Sequence, residues 1–142
     1  MAKLVWTLLC RRAIVDENLK LVSLIDVVES FDFGAPPGAQ LDNLPIEITA
    51  VTLWTRDDPA KPEVTQERIR LVGPTGKEGQ PAIAPIDLSD HRNYRNVVLW
   101  QGLPFSGSGE YAFVVEIKTA AGWEERGRML LIVNQMASTS PG

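Results

Sequence analysis

The feature that most constrains this chain is a hydrophobic period of two that runs through nearly its whole length. Between Glu110 and Thr119 it is at its clearest. Tyr111, Phe113, Val115 and Ile117 fall on one side of an extended chain, and Glu110, Glu116 and Lys118 on the other. Successive side chains of a β-strand point to opposite faces, so this is the pattern of a strand with one buried face. The same alternation returns in Leu44, Ile46, Ile48, Ala50 and Trp54 against Glu47, Thr49, Val51, Leu53 and Thr55. It returns again between Val64 and Val72, where Thr65, Glu67, Ile69 and Leu71 alternate with Gln66, Arg68, Arg70 and Val72. The alternating charges of that stretch predict a solvated face or a sheet edge.

The first strand is of a different kind. Leu4, Trp6, Leu8, Cys10 and Ile14 alternate with Val5, Thr7, Leu9, Arg11 and Ala13, so both of its faces are apolar up to Arg11-Arg12. Such a strand is central or covered. Asp16-Glu17-Asn18 predicts a turn, because Asp and Asn side chains bond to nearby backbone. A β-branched run from Leu19 to Ser30 then completes a hairpin. A helix over Leu19–Glu29 is the alternative, disfavoured by Val and Ile, which are stiff in helices. Phe31 to Asn43, with Gly34-Ala35-Pro36-Pro37-Gly38, reads as a loop long enough to cross between sheets. Pro81 and Pro85 confine any strand over Gln80–Leu88 to an edge. Strands over Asn96–Gln101 and Trp123–Val133 complete the count at seven or eight.

The predicted fold is all-β: an antiparallel two-sheet sandwich, immunoglobulin-like in size, with a small Greek-key barrel as the alternative. One domain over residues 1–134 and a flexible tail over 135–142 are expected from the small polar residues at the end. With 142 residues, the chain is long enough to bury about two-thirds of its unfolded surface.

Three stretches resemble a family of short bacterial domains of unknown function. Leu8-Leu9-Cys10-Arg11-Arg12-Ala13-Ile14-Val15-Asp16 followed by Lys20-Leu21-Val22-Ser23-Leu24-Ile25 is similar to the opening hairpin of those domains. Gly73-Pro74-Thr75-Gly76 resembles their Gly/Pro turn, and Gly109-Glu110-Tyr111-Ala112-Phe113 a strand near their end. The resemblance implies a β-sandwich with no assigned activity. It carries no catalytic residue over to this sequence.

Direct inspection finds little chemistry. Gly76-Lys77 is followed by Glu78, and Leu71 stands where a phosphate-binding loop needs glycine, so that motif is absent. Gly107-Ser108-Gly109 precedes a strand and is no dinucleotide fingerprint. His91 is the one histidine, which excludes a metal site built on imidazoles within one chain. Asp87, Ser89, Asp90 and His91 are sequence neighbours in a loop, whereas triad members converge from distant segments. Asp57-Asp58 lacks calcium-loop spacing. Cys10, the one cysteine, excludes an internal disulfide and suits a reducing, cytoplasmic setting. It is expected to be a core residue. No catalytic residue, metal or cofactor is therefore predicted.

A net charge of -4 argues against nucleic acid and anionic membrane as partners, and no apolar run is long enough to span a bilayer. Trp6 and Trp54 fall on apolar registers and are expected in the core. Arg92, Tyr94, Arg95, Trp100 and Trp123 make the candidate interaction surface, since Trp and Arg are enriched in binding patches. The first strand, apolar on both faces, points to a protein partner or to self-association as a homo-oligomer. The expected function is a non-enzymatic protein-interaction or self-assembling module. The alternatives are a small-ligand-binding or enzymatic domain with a pocket at the loops or between sheets, and a structural part of a phage or secretion assembly.

Overall fold

A computed structural model describes residues 1–35 and 41–137. Among them there are nine strands and no helix, so no helix is long and apolar enough to cross a membrane. The strands are β1 (Lys3–Asp16), β2 (Leu21–Val27), β3 (Ser30–Ala35), β4 (Asn43–Thr55), β5 (Glu63–Val72), β6 (Ala82–Leu88), β7 (Asn93–Pro104), β8 (Gly109–Thr119) and β9 (Gly122–Ala137). They form two packed sheets, ordered β2-β1-β4-β7 and β3-β9-β8-β5-β6. The all-β, two-sheet expectation is met.

The count exceeds the predicted seven or eight because the run from Leu19 is two strands. β2 ends at Val27, and the chain crosses between sheets at Val28 and Glu29, before the glycine and proline loop. Asp26 takes a left-handed backbone (φ 54°) at this exit. Val28 N–H donates to the Leu9 carbonyl of one sheet, and Glu29 carbonyl accepts from Ile132 N–H of the other. β3 then runs parallel to β9, pairing Ser30 with Ile132 and Ala35 with Ala137. This is the one parallel pair in an otherwise antiparallel fold. The predicted loop at 34–38 thus begins inside β3, and its positions 36–38 lie outside the described residues. Residues 135–137, placed in the tail by the sequence, are the last of β9, and 138–142 lie outside the described residues.

β1 serves two partners in succession. Lys3 to Cys10 pair with β4, and Cys10 to Asp16 pair with β2. The hairpin turn is built as its residues suggest: Asp16 Oδ1 accepts from the backbone N–H groups of Asn18 and Leu19, each at 3.0 Å. Gly73–Gly76 is also a turn, closed by Gly76 N–H on the Gly73 carbonyl. Gly76 sits at φ 82°, where a side chain would be strained.

The interior lies between the sheets. Trp54 of β4, Ile69 and Leu71 of β5, Ile86 of β6 and Phe113 and Ile117 of β8 are its buried members. Tyr111 is buried with them, and its hydroxyl donates to the Gly107 carbonyl at 2.7 Å and accepts from Ser106 N–H at 2.9 Å, closing the loop before β8. β6 is an edge, as its prolines require, and Asn96 Nδ2 of β7 reaches the Pro85 carbonyl at 2.9 Å to tie the two sheets together there. β5 lies inside its sheet, so its alternating arginines mark a solvated face.

Candidate interaction face

Register fixes which side chains leave the four-stranded sheet outward. Thr7 donates to Met129 Sδ of the opposite sheet at 3.1 Å, and Thr52 bonds to Glu67 of that sheet, so both point inward. Their neighbours Leu8 and Val51, paired with each other, therefore point outward. The same alternation sends Trp6, Leu8 and Cys10 of β1 outward, opposite Leu53, Val51 and Thr49 of β4. On the flanks stand Val27 of β2 and Val97 and Leu99 of β7. None of these residues belongs to the interior cluster. The sheet is apolar on both sides.

This outer face has a sealed middle and an exposed surround. Cys10 and Val51 are fully buried and Thr49 nearly so, on a side of the sheet that no other element covers. Leu8 is 39% exposed, Val97 43%, and Val27 and Leu99 50% each. Lys3, Arg12, Glu47, Arg95 and Gln101 stand around it by the same register. An apolar middle with a polar rim is the anatomy of a protein interface. Cys10 is buried as expected, yet outside the core. Burial pushes its thiol pKa up, so it carries little thiolate and is no nucleophile.

Trp6 was expected in the core, and a β-bulge explains why it is not. The register slips between Leu4 and Trp6, so Leu4 opposes Trp54 on the inner side and Trp6 opposes Leu53 on the outer. Trp54 is fully buried, as expected.

The outer face of the five-stranded sheet has the opposite character. Arg68 Nε and Arg70 Nε of β5 both donate to Glu116 Oε1 of β8, at 2.8 Å and 3.0 Å. Arg70 also pairs with Glu78, and the Arg68 guanidinium lies 4.8 Å from the centre of the Trp123 ring, a cation–π distance. Burial acts to raise the Glu116 pKa, but the Arg68 hydrogen bond and the charges of Arg70 and Arg68 outweigh it and hold the carboxyl low. Leu130 and Ile132 of β9 are the exposed apolar exceptions, toward the β3 edge.

The five residues singled out from the sequence are distributed over several surfaces. Trp100 turns inward, edge-on to Phe113 with ring centres 5.3 Å apart, and Tyr94 also packs against the core. Arg95 stands on the outer face of the four-stranded sheet beside Leu53. Trp123 belongs to the opposite outer face, under Arg68. Arg92 is exposed in the loop before β7, where its carbonyl accepts from Arg56 N–H. His91 is exposed in that loop. Asp87 there bonds to Ser89, which with the nearby histidine charge lowers its pKa.

One polar residue of the interior had no role in the sequence reading. Glu67 of β5 is fully buried, and its partners come from the other sheet. Thr52 Oγ1 lies 3.0 Å and 2.9 Å from its two oxygens, and Trp54 Nε1 donates to it at 3.3 Å. No cation faces it among these contacts. Burial raises its pKa, and the hydrogen bonds from Thr52, Trp54 and Asn96 only partly offset that. A protonated carboxyl fits the Thr52 geometry, since one oxygen then accepts from the hydroxyl while its own O–H donates back. Glu67 is an inter-sheet bolt.

An open cleft of about 790 Å³ lies where β1 and β4 diverge beyond the Cys10–Thr49 pair. Residues 26–31 and 45–48 and Arg11 line it, with Val28, Phe31, Ile46 and Ile48 apolar and Asp26, Glu29 and Glu47 acidic. Among the described residues, no three His, Cys, Asp or Glu side chains group as metal ligands. A scan against protein-family models finds no match for this chain, and a search of curated proteins finds none either.

Proposed function

We propose that this chain is a non-enzymatic interaction module that works through the outer face of its four-stranded sheet. The single observation behind the reading is that face: a row of Trp6, Leu8, Cys10, Leu53, Val51, Val97 and Leu99 on the side that no other element covers. Antiparallel sheets facing water on one side ordinarily alternate apolar-in and polar-out. Here the outward positions are apolar, and burying them releases roughly 25 cal/mol for each Å² removed from water. The resemblance of the opening hairpin to short bacterial β-sandwich domains, and a single buried thiol suited to a reducing compartment, accord with this role.

Leu99→Lys, at a half-exposed site, tests it. The variant is expected to melt within about 0.5 kcal/mol of wild type. It should lose concentration-dependent association in sedimentation velocity, and also the binding of an apolar fluorescent dye. A wild-type chain that neither associates nor binds the dye overturns the reading.

A second reading, a small-ligand site, has the cleft between β1 and β4 behind it. Its volume lies within the roughly 300–1,000 Å³ typical of ligand pockets. A library of small metabolites that shifts the melting of wild type, but not of an Ile46→Trp variant, would favour it.

A further inference from the structure

The outer apolar face also indicates what covers it. Arg12 and Glu47 stand at one end of that face, side by side across the seam between β1 and β4. Arg12 lies two residues beyond Cys10 and opposite Ile25. Glu47 lies two residues before Thr49 and opposite Gln101. Both are exposed, and neither makes an ion pair among the described residues. They are unlike charges placed symmetrically about one line. A twofold axis along that line, lying between two stacked faces, exchanges the β1 column of one copy with the β4 column of the other. Arg12 then lies over Glu47 of the second copy, and Glu47 over its Arg12. The same operation sets Leu8 over Val51 and Trp6 over Leu53, apolar on apolar.

We propose that the face is occupied by a second copy of this chain, stacked sheet on sheet in an isologous dimer, with Arg12 and Glu47 as its reciprocal charge pairs. The proposal rests on the interaction reading above and names the partner. Four strands about 4.8 Å apart and eight residues at about 3.4 Å give roughly 500 Å² in projection. Two copies then bury on the order of 1,000 Å², the size at which specific interfaces begin. Sheets stack about 10 Å apart and within about 30° of alignment, a rotation that long Arg and Glu side chains tolerate. The dimer has a four-layer cross-section, with the two charged five-stranded faces outside. A closed twofold contact leaves no second apolar sheet face to propagate a fibre.

The test is a charge swap, read by sedimentation velocity from about 1 to 500 μM. Arg12→Glu alone and Glu47→Arg alone each place like charges opposite one another twice. Each is expected to weaken self-association roughly tenfold or more. Mixed together, the two variants are expected to form a heterodimer, because every facing pair is then unlike. The chain carrying both substitutions is expected to dimerise like wild type, which controls for a single variant that folds poorly. Raising salt from about 0.05 to 0.5 M is expected to weaken the wild-type dimer. A wild-type chain that stays monomeric throughout overturns the dimer. If that monomer still binds the apolar dye, and Leu99→Lys abolishes the binding, the interaction reading survives with a different partner. A wild-type dimer indifferent to both single substitutions overturns the stacked geometry.

Discussion

The two sheets of this sandwich share one interior but treat solvent in opposite ways. The five-stranded sheet turns Arg68, Arg70 and Glu116 outward and pairs them with one another, so its charges are satisfied on the spot. The four-stranded sheet turns Trp6, Leu8, Val97 and Leu99 outward and leaves them half-exposed. Polar groups that find partners within their own sheet make a finished surface. Apolar groups cannot be satisfied within a single layer, because only a second layer takes their surface out of water. The difference separates a face built to meet water from a face built to meet something else.

The contrast breaks most visibly at two tryptophans on the same sheet. Trp54→Ala removes a fully buried indole and is expected to cost about 3–5 kcal/mol in urea unfolding. Trp6→Ala on the outer side, measured on dilute monomer, is expected to cost about 1 kcal/mol. Equal losses would mean that the outer face is already covered within one chain. Next in size is Glu116→Ala, which strands two partly buried guanidinium groups and is expected to cost about 2 kcal/mol at neutral pH. A cost near zero would show that the five-stranded face is held by its strands and not by its charges.

The smallest effect lies in pH, where the two buried glutamates oppose each other. The Glu67 pKa is raised in the folded chain, so its contribution is full below the ordinary glutamate range. It is lost as pH rises through the folded value. The Glu116 pKa is lowered, so its contribution is present above the ordinary range and is lost as pH falls through the folded value. Stability followed against pH should therefore keep its acid-side decline in Glu67→Gln while the decline on the higher-pH side flattens. An unchanged profile would mean that Glu67 is ionised in the fold.

Much of this architecture was legible in the residues, because burial on one face leaves a period of two. The clean alternation of β8, the Asp16 turn and the two apolar faces of β1 were all readable. What escaped depended on shifts of phase and on distant partners. One extra residue at the β1 bulge moved Trp6 to the outside, and no local pattern announces a bulge. β3 was hidden because Phe31 and Phe33 alternate for too short a stretch beside Gly34 and Pro36. Its parallel partner β9 is far along the chain. Glu67 did leave a sign: it sits in phase with Ile69 and Leu71, where a charge has no business unless partners await it. The partners, Thr52, Trp54 and Asn96, come from other strands and carry no mark of the pairing. The outer face was visible only as the double apolarity of β1. Its extension over β4 and β7 needed the sheet order.

The parallel pairing of β3 with β9 has a consequence for how the chain comes together. The β1–β2 hairpin closes a four-residue loop and forms on a microsecond scale, whereas β3 must wait for a strand made roughly a hundred residues later. During synthesis, the first sheet gains its hairpin long before the second gains its edge. The nascent chain therefore passes through an interval in which Phe31 and Phe33 have no ladder to join, and that interval is when it is most exposed to misassembly.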